Sequence, residues 1–145
     1  MNTHIDPREL KRCAYTNIRR VDRLVARFYD RMLAPAGVSA AQFALLATLV
    51  AAAPVTVNRL AKILVMDRTT LTRNLSLLNR RQFIRYQEGT DRRMRMIFLT
   101  REGQEAFDAT LPLWRQGQGK IERDFGNERF ESLLAELAAI VELVR

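Results

Sequence analysis

Between Thr56 and Gly103 the spacing of apolar residues changes from helical to alternating, and this restricts the fold more than any other stretch. Thr56 can cap a short helix in which Leu60, Ala61 and Leu64 point inward. Val65 and Met66 make a turn. Asp67 caps the next helix, Arg68 to about Arg81, with Leu71, Leu75 and Leu78 on its buried side. Then Ile84-Arg85-Tyr86 and the run from Met94 to Leu99 read as two strands around the polar loop Glu88-Gly89-Thr90-Asp91-Arg92-Arg93. Helix, turn, helix and hairpin is the outline of a winged helix-turn-helix. A lone hairpin is marginal in water, so Ile84, Tyr86, Ile97 and Leu99 are expected to pack on the helices, with Phe83, Tyr86 and Phe98 as its aromatic core candidates.

The same segment holds most of the excess positive charge. It carries 11 bases against 4 acids, a net of +7, whereas the part through Val55 adds +4 and the part from Gln104 onward contributes −3. Charge confined to one segment points to a nucleic-acid face, and the motif to double-stranded DNA. On the helix from Arg68, the side chains Arg68, Thr69, Thr70, Thr72, Arg73, Ser76 and Arg80 form the candidate recognition surface, short polar groups and guanidiniums suited to base edges and phosphates. In the wing the candidates are Asp91, Arg92, Arg93 and Arg95.

The flanks read as helices. Asp6-Pro7-Arg8-Glu9 is a helix start, and Leu10, Cys13, Ile18, Val21, Leu24, Val25 and Phe28 recur at three-to-four spacing beyond it. A single helix from Pro7 to Ala34 is expected, about 40 Å long and ended by a left-handed Gly37. That is too long for one small domain to cover, so part of its apolar stripe should meet another chain. Ser39-Ala40-Ala41-Gln42 is a capping box for the helix that Pro54 ends. Thr100 caps a fifth helix that Pro112 should bend, and Gly117, Gly119 and Gly126 should loosen the stretch after that bend. A final helix from about Glu128 to Val144 carries Leu133, Leu134, Leu137, Ile140 and Val141 in one stripe.

The expected fold is therefore mainly α with a small β-hairpin wing, a single domain over 1–145. Residues 39–103 form the winged DNA-binding region, and 1–36 with 115–145 a helical dimerisation region. Charged residues at Asp6, Arg8, Glu9 and Lys11 exclude a signal peptide, and the weakly polar run Phe43 to Val57 is too short for a membrane span, so a cytoplasmic protein with no membrane partner is expected. One cysteine and one histidine exclude a disulfide framework and an ordinary zinc site. No metal, cofactor or catalytic constellation is visible, and the chain does not read as an enzyme. A general architectural nucleic-acid binder is the competing class.

In order and spacing, Leu60-Ala61, Asp67-Arg68-Thr69-Thr70-Leu71-Thr72-Arg73, Leu78, Asp91-Arg92-Arg93 and Leu99-Thr100-Arg101-Glu102-Gly103, preceded by Gly37-Val38-Ser39 and Gln42-Phe43, resemble the MarR family of bacterial transcriptional regulators. The resemblance implies a homodimer whose first and last helices interlock and whose two winged domains bind a palindromic operator. It further implies a repressor released by a small molecule, with Arg93 of the wing tip entering the minor groove and Asp91 holding the loop. Members usually have glycine between recognition helix and wing; this chain has Gln82. Cys13, Tyr15, Arg19 and Phe43, with Trp114 nearby, are the candidate effector pocket, suited to a small aromatic anion. The alternative is a peroxide-responsive regulator using Cys13, a residue that otherwise counts as a small hydrophobe on the first helix's stripe.

Overall fold

The computed structural model describes residues 4–87 and 94–145. The N-terminal helix is broken in two. α1 (Pro7–Lys11) is capped by Asp6, whose carboxylate accepts from the Arg8 amide, and α2 (Ala14–Leu33) starts after Cys13 takes up an extended conformation at φ −66°, ψ 116°. The expected continuous helix from Pro7 to Ala34 is thus corrected, for a local reason. The Asn17 side-chain amide donates to the carbonyl of Lys11 (2.8 Å), an acceptor that a continuous helix would have used for backbone bonding, and to that of Cys13 (2.9 Å), which also accepts from the Asn17 backbone amide. Cys13 consequently sits at the N-cap of α2 instead of on the stripe of an unbroken helix.

A 3-10 turn, Ala34–Ala36, ends at Gly37 with φ 67°, as its place after the apolar run suggests. Ser39 and Gln42 form the reciprocal capping box of α3 (Ala40–Ala52). Asp30 of α2 adds a carboxylate to the first free amide of α3, at Ala40, 2.8 Å away. Next come β1 (Val55–Thr56), α4 (Val57–Leu64), α5 (Arg68–Arg80), β2 (Ile84–Gln87), β3 (Met96–Leu99), α6 (Arg101–Phe125) and α7 (Asn127–Val144).

The expected two-stranded hairpin is a three-stranded antiparallel sheet in the order β1-β3-β2. Val55 pairs with Ile97 and Thr56 with Met96, so the residues entering α4 are bound to the wing. Ile84 faces Leu99 and Tyr86 faces Ile97 on the core side. Phe98 pairs with Arg85 and therefore belongs to the opposite face, with the Arg85 guanidinium 4.4 Å above its ring. It was expected among the core aromatics; the two-residue period of a strand puts it on the other side.

Leu46, Leu49, Leu60, Leu71, Leu75, Leu78, Ile84 and Ile97 form the centre of one core, which Leu33 joins from α2. Phe43 stacks on Phe107 (5.5 Å between centroids) and Trp114 (5.7 Å), fastening α3 to α6. α6 runs unbroken through Pro112, Gly117 and Gly119, where a loosened stretch was expected after the proline. Tertiary packing explains this: Gly117 is buried against Phe28, Tyr29 and Met32, and a Cβ there would come within 3.3 Å of two of them. The Tyr29 hydroxyl also donates to Gln118 at 2.6 Å. Because α6 is continuous from Arg101 to Phe125, the expected boundary at residue 115 falls inside one helix. α7 buries no residue in the single chain, and Val21, Leu24, Leu134 and Leu137 are all exposed. No single helix among the described residues is long and apolar enough to cross a membrane.

Candidate nucleic-acid interface

α4 and α5 owe their relative placement to the turn between them. Val65 adopts φ 50°, its amide bonds to Lys62 and the Met66 amide bonds to Ala61, which turns back the end of α4 and satisfies its last carbonyls. α5 ends in the same way. Gln82 adopts φ 60°, its amide bonds to Asn79 and the Phe83 amide to Leu78. The position usually held by glycine does require the left-handed conformation, and here glutamine adopts it.

Asp67 opens α5, and its pKa is lowered because the Thr70 hydroxyl and amide both donate to the carboxylate. The hydroxyl of Thr70 is thereby used inside the chain at 2.6 Å, which separates Thr70 from the other recognition candidates. Arg68, Thr69, Thr72, Arg73, Ser76 and Arg80 border one shallow groove on the exposed side of α5, joined by Leu77. Arg68, Arg73 and Arg80 make no ion pair with any described residue. Thr72 turns its hydroxyl hydrogen to the Arg68 carbonyl at 2.7 Å, leaving the oxygen's acceptor capacity outward.

Not every arginine of this basic segment faces outward. Arg81 donates to the Gly37 carbonyl (2.8 Å) and to Gln42 (3.0 Å) and lies over Phe83, which ties the end of α5 to the start of α3. It is a structural cation. Arg95 lies over the Tyr86 ring at 5.0 Å, at the base of the wing. The wing-tip candidates Asp91, Arg92 and Arg93 lie outside the described residues. The root of the wing is fixed through α6. The Thr100 amide donates to the Phe83 carbonyl (3.0 Å) and the Thr100 hydroxyl to the Gln82 carbonyl (2.6 Å), and a Cβ at Gly103 would overlap that Phe83 carbonyl. Leu99-Thr100-Arg101-Glu102-Gly103 is thus the joint between recognition helix, wing and α6.

The effector candidates do not form one cluster in the single chain. Phe43 is buried in the α3–α6 stack, while Tyr15 is 73% exposed and Arg19 is exposed and paired with Asp22 at 3.2 Å. Cys13 is half-buried, and its thiol pKa is lowered by the hydroxyl and amide of Thr16 at the start of α2. The Thr16 signal was open to sequence reasoning once an N-cap was placed at Cys13. Leu77, exposed on α5 beside the groove, was not among the expected site residues; Tyr86, expected in the hairpin core, is half-buried there with its ring beneath Arg95. No group of metal-ligating side chains occurs among the described residues.

A model of the MarR family matches residues 36–94. The crystal structure of the Mycobacterium tuberculosis transcriptional regulator MosR in complex with DNA is 35% identical, covers 92% of this chain and 98% of its own, and superposes with a TM-score of 0.80. An uncharacterised HTH-type transcriptional regulator of Bacillus subtilis (strain 168), YwoH, is 24% identical over 110 residues, covering 76% of this chain and 80% of its own. In fold, the chain is also similar to the transcriptional repressor CouR bound to p-coumaroyl-CoA, at 20% identity, with 95% and 98% of the two chains covered and a TM-score of 0.82.

Proposed function

This chain belongs to the MarR family of transcriptional regulators, and from that membership we propose how it works: as a homodimer, it reads a palindromic operator with α5 and represses transcription until a small molecule binds. It is a sequence-specific DNA-binding transcriptional regulator. The observation that carries the reading is the outward face of α5, where three arginines without ion-pair partners among the described residues stand beside short hydroxyl side chains. Guanidiniums on a helix can reach guanine edges and phosphates, and the hydroxyls are small enough to let the backbone approach the groove. Arg68, Thr69, Thr72, Arg73, Ser76 and Arg80 are the proposed contacts on this helix, and Arg92, Arg93 and Arg95 those of the wing, with Asp91 holding its tip.

Dimerisation fits the apolar faces that α2 and α7 leave uncovered in one chain. A ligand releases DNA only by preferring one spacing of the two recognition helices. An aromatic anion is the proposed effector, met by Tyr15 and Arg19; the same fold holds p-coumaroyl-CoA in CouR. Selection from a randomised duplex library tests the DNA half. Enrichment of an inverted repeat with half-sites about 34–36 Å apart is expected. Equal affinity for all duplexes, or for single strands, would overturn it in favour of a general architectural binder.

A second reading has its own observation. Cys13 stands at the N-cap of α2 beside Thr16, which lowers its thiol pKa toward the thiolate, the form that reacts with peroxide. Alkylation of Cys13 should show a pH midpoint below the ordinary thiol value, and Thr16→Val should move it back up. If peroxide releases operator DNA from the wild type and not from Cys13→Ser, the redox reading replaces the ligand reading; unchanged DNA binding after oxidation eliminates it.

A further inference from the structure

Between α5 and the wing lies a cleft whose walls come from four separate parts of the chain: Val57 at the start of α4, Arg68, Thr72 and Leu75 of α5, Tyr86 of β2, and Arg95 just before β3. None of its described lining residues is a carboxylate. Neither arginine forms an ion pair with a described residue. The two differ in freedom. Arg68 is exposed at the first position of its helix, whereas Arg95 is half-buried and rests over the Tyr86 ring, 5.0 Å from its centre. Stacking on an aromatic face restricts a guanidinium without consuming its donors, which leaves its planar fork able to bind an anion. Leu75, almost fully buried, closes the floor.

We propose that Arg68 and Arg95 grip the same DNA backbone phosphate, one per half-site, and that Tyr86 is the positioning residue that holds Arg95 for this contact. The inference rests on the DNA-binding reading. It gives the cleft a function distinct from base recognition: a phosphate held between recognition helix and wing sets how deeply α5 enters the major groove and fixes its register along the backbone.

Salt dependence separates a shared phosphate from two independent ones. Each neutralised phosphate contributes about 0.9 to the slope of log affinity against log salt. With a shared phosphate, either single variant, Arg68→Ala or Arg95→Ala, retains a cation there, and the double variant lowers the slope by about 0.9 per half-site. With two phosphates each single variant lowers it by about 0.9 and the double by about 1.8. The measurement uses the full chain and a duplex obtained by selection from a random library. The same duplex carrying one methylphosphonate per half-site, scanned along the backbone, should include a position that weakens the wild type and leaves the double variant unaffected. Tyr86→Phe keeps the ring and should keep the wild-type slope and affinity; Tyr86→Leu should approach Arg95→Ala while retaining the wild-type circular dichroism spectrum.

Additive slopes, or a methylphosphonate scan in which the two arginines respond at different positions, would overturn the clamp while leaving DNA binding intact. Tyr86→Leu binding like wild type would remove the positioning role. Failure of the wild type to enrich any duplex would remove the DNA-binding reading and the clamp with it.

Discussion

Val65 is the least comfortable residue of the interface. A β-branched side chain at φ 50° crowds its own carbonyl, and at 64% exposure it gains little burial in return. Val65→Gly relieves that strain and introduces the extra backbone freedom of glycine in the unfolded chain, so a net stabilisation of roughly 0.5–1 kcal/mol is expected. A higher urea midpoint at unchanged slope would show it; a lower midpoint would mean that Val65 contributes packing beyond what its exposure indicates. Arg73 belongs to the same scale. If it takes a guanine edge, Arg73→Ala should cost roughly 1–3 kcal/mol at the operator and relax preference at one base position per half-site. Equal weakening on every sequence, measured by binding to a panel of operator variants, would assign Arg73 to a phosphate.

At the scale of the element, α5 depends on Asp67. Thr70 donates to the carboxylate with both amide and hydroxyl, which stabilises the charged form and lowers the folded-state pKa below its ordinary value of 3.8. The sign comes from linkage: the contribution is fully present above the ordinary carboxylate pKa and is lost as pH falls through the lowered folded value. Asp67→Asn still caps but carries no titrating charge, so its stability should fall less steeply than that of the wild type between about pH 5 and pH 2. Parallel acid unfolding curves for the two proteins would exclude this cap as a titrating element. The wing depends on longer-range partners. β3 is held by β1 on one side and β2 on the other, while Thr100 and Gly103 hold α6 against the Phe83 carbonyl. The recognition helix, the wing and the long helix leading toward the C-terminus therefore share one joint, a direct physical route from the helical end of the molecule to the DNA face.

For the whole molecule, the uncovered faces of α2 and α7 are the main unsatisfied demand. Leu24, Leu134, Leu137 and Val141 remain exposed in a chain whose winged part has a well-filled core. If a second copy covers them, Leu137→Glu buries an unpaired carboxylate and should cost about 3–5 kcal/mol, splitting or unfolding the dimer. Analytical ultracentrifugation checks both species, and a monomeric wild type at micromolar concentration would sink the dimer. Net charge is distributed to match: the winged segment proposed to contact DNA is basic, and the C-terminal part is acidic.

The features legible in the sequence were those governed by neighbours within about four residues. The caps at Ser39, Thr56, Asp67 and Thr100 each bond an amide three positions on, and the leucine face of α5 follows the helical repeat. The break at Cys13 was equally local, written in Asn17, and was missed because the apolar spacing continues across it. Only the tertiary structure decided that Val55 pairs with Ile97, that α6 persists through Pro112 and Gly117, that Phe43 belongs to an aromatic stack, and that Arg81 is structural while Arg68 and Arg95 meet at one cleft. Each of these depends on a partner far away in sequence. Composition and periodicity fix which side of an element is apolar, but close approach in three dimensions selects which distant groups meet there.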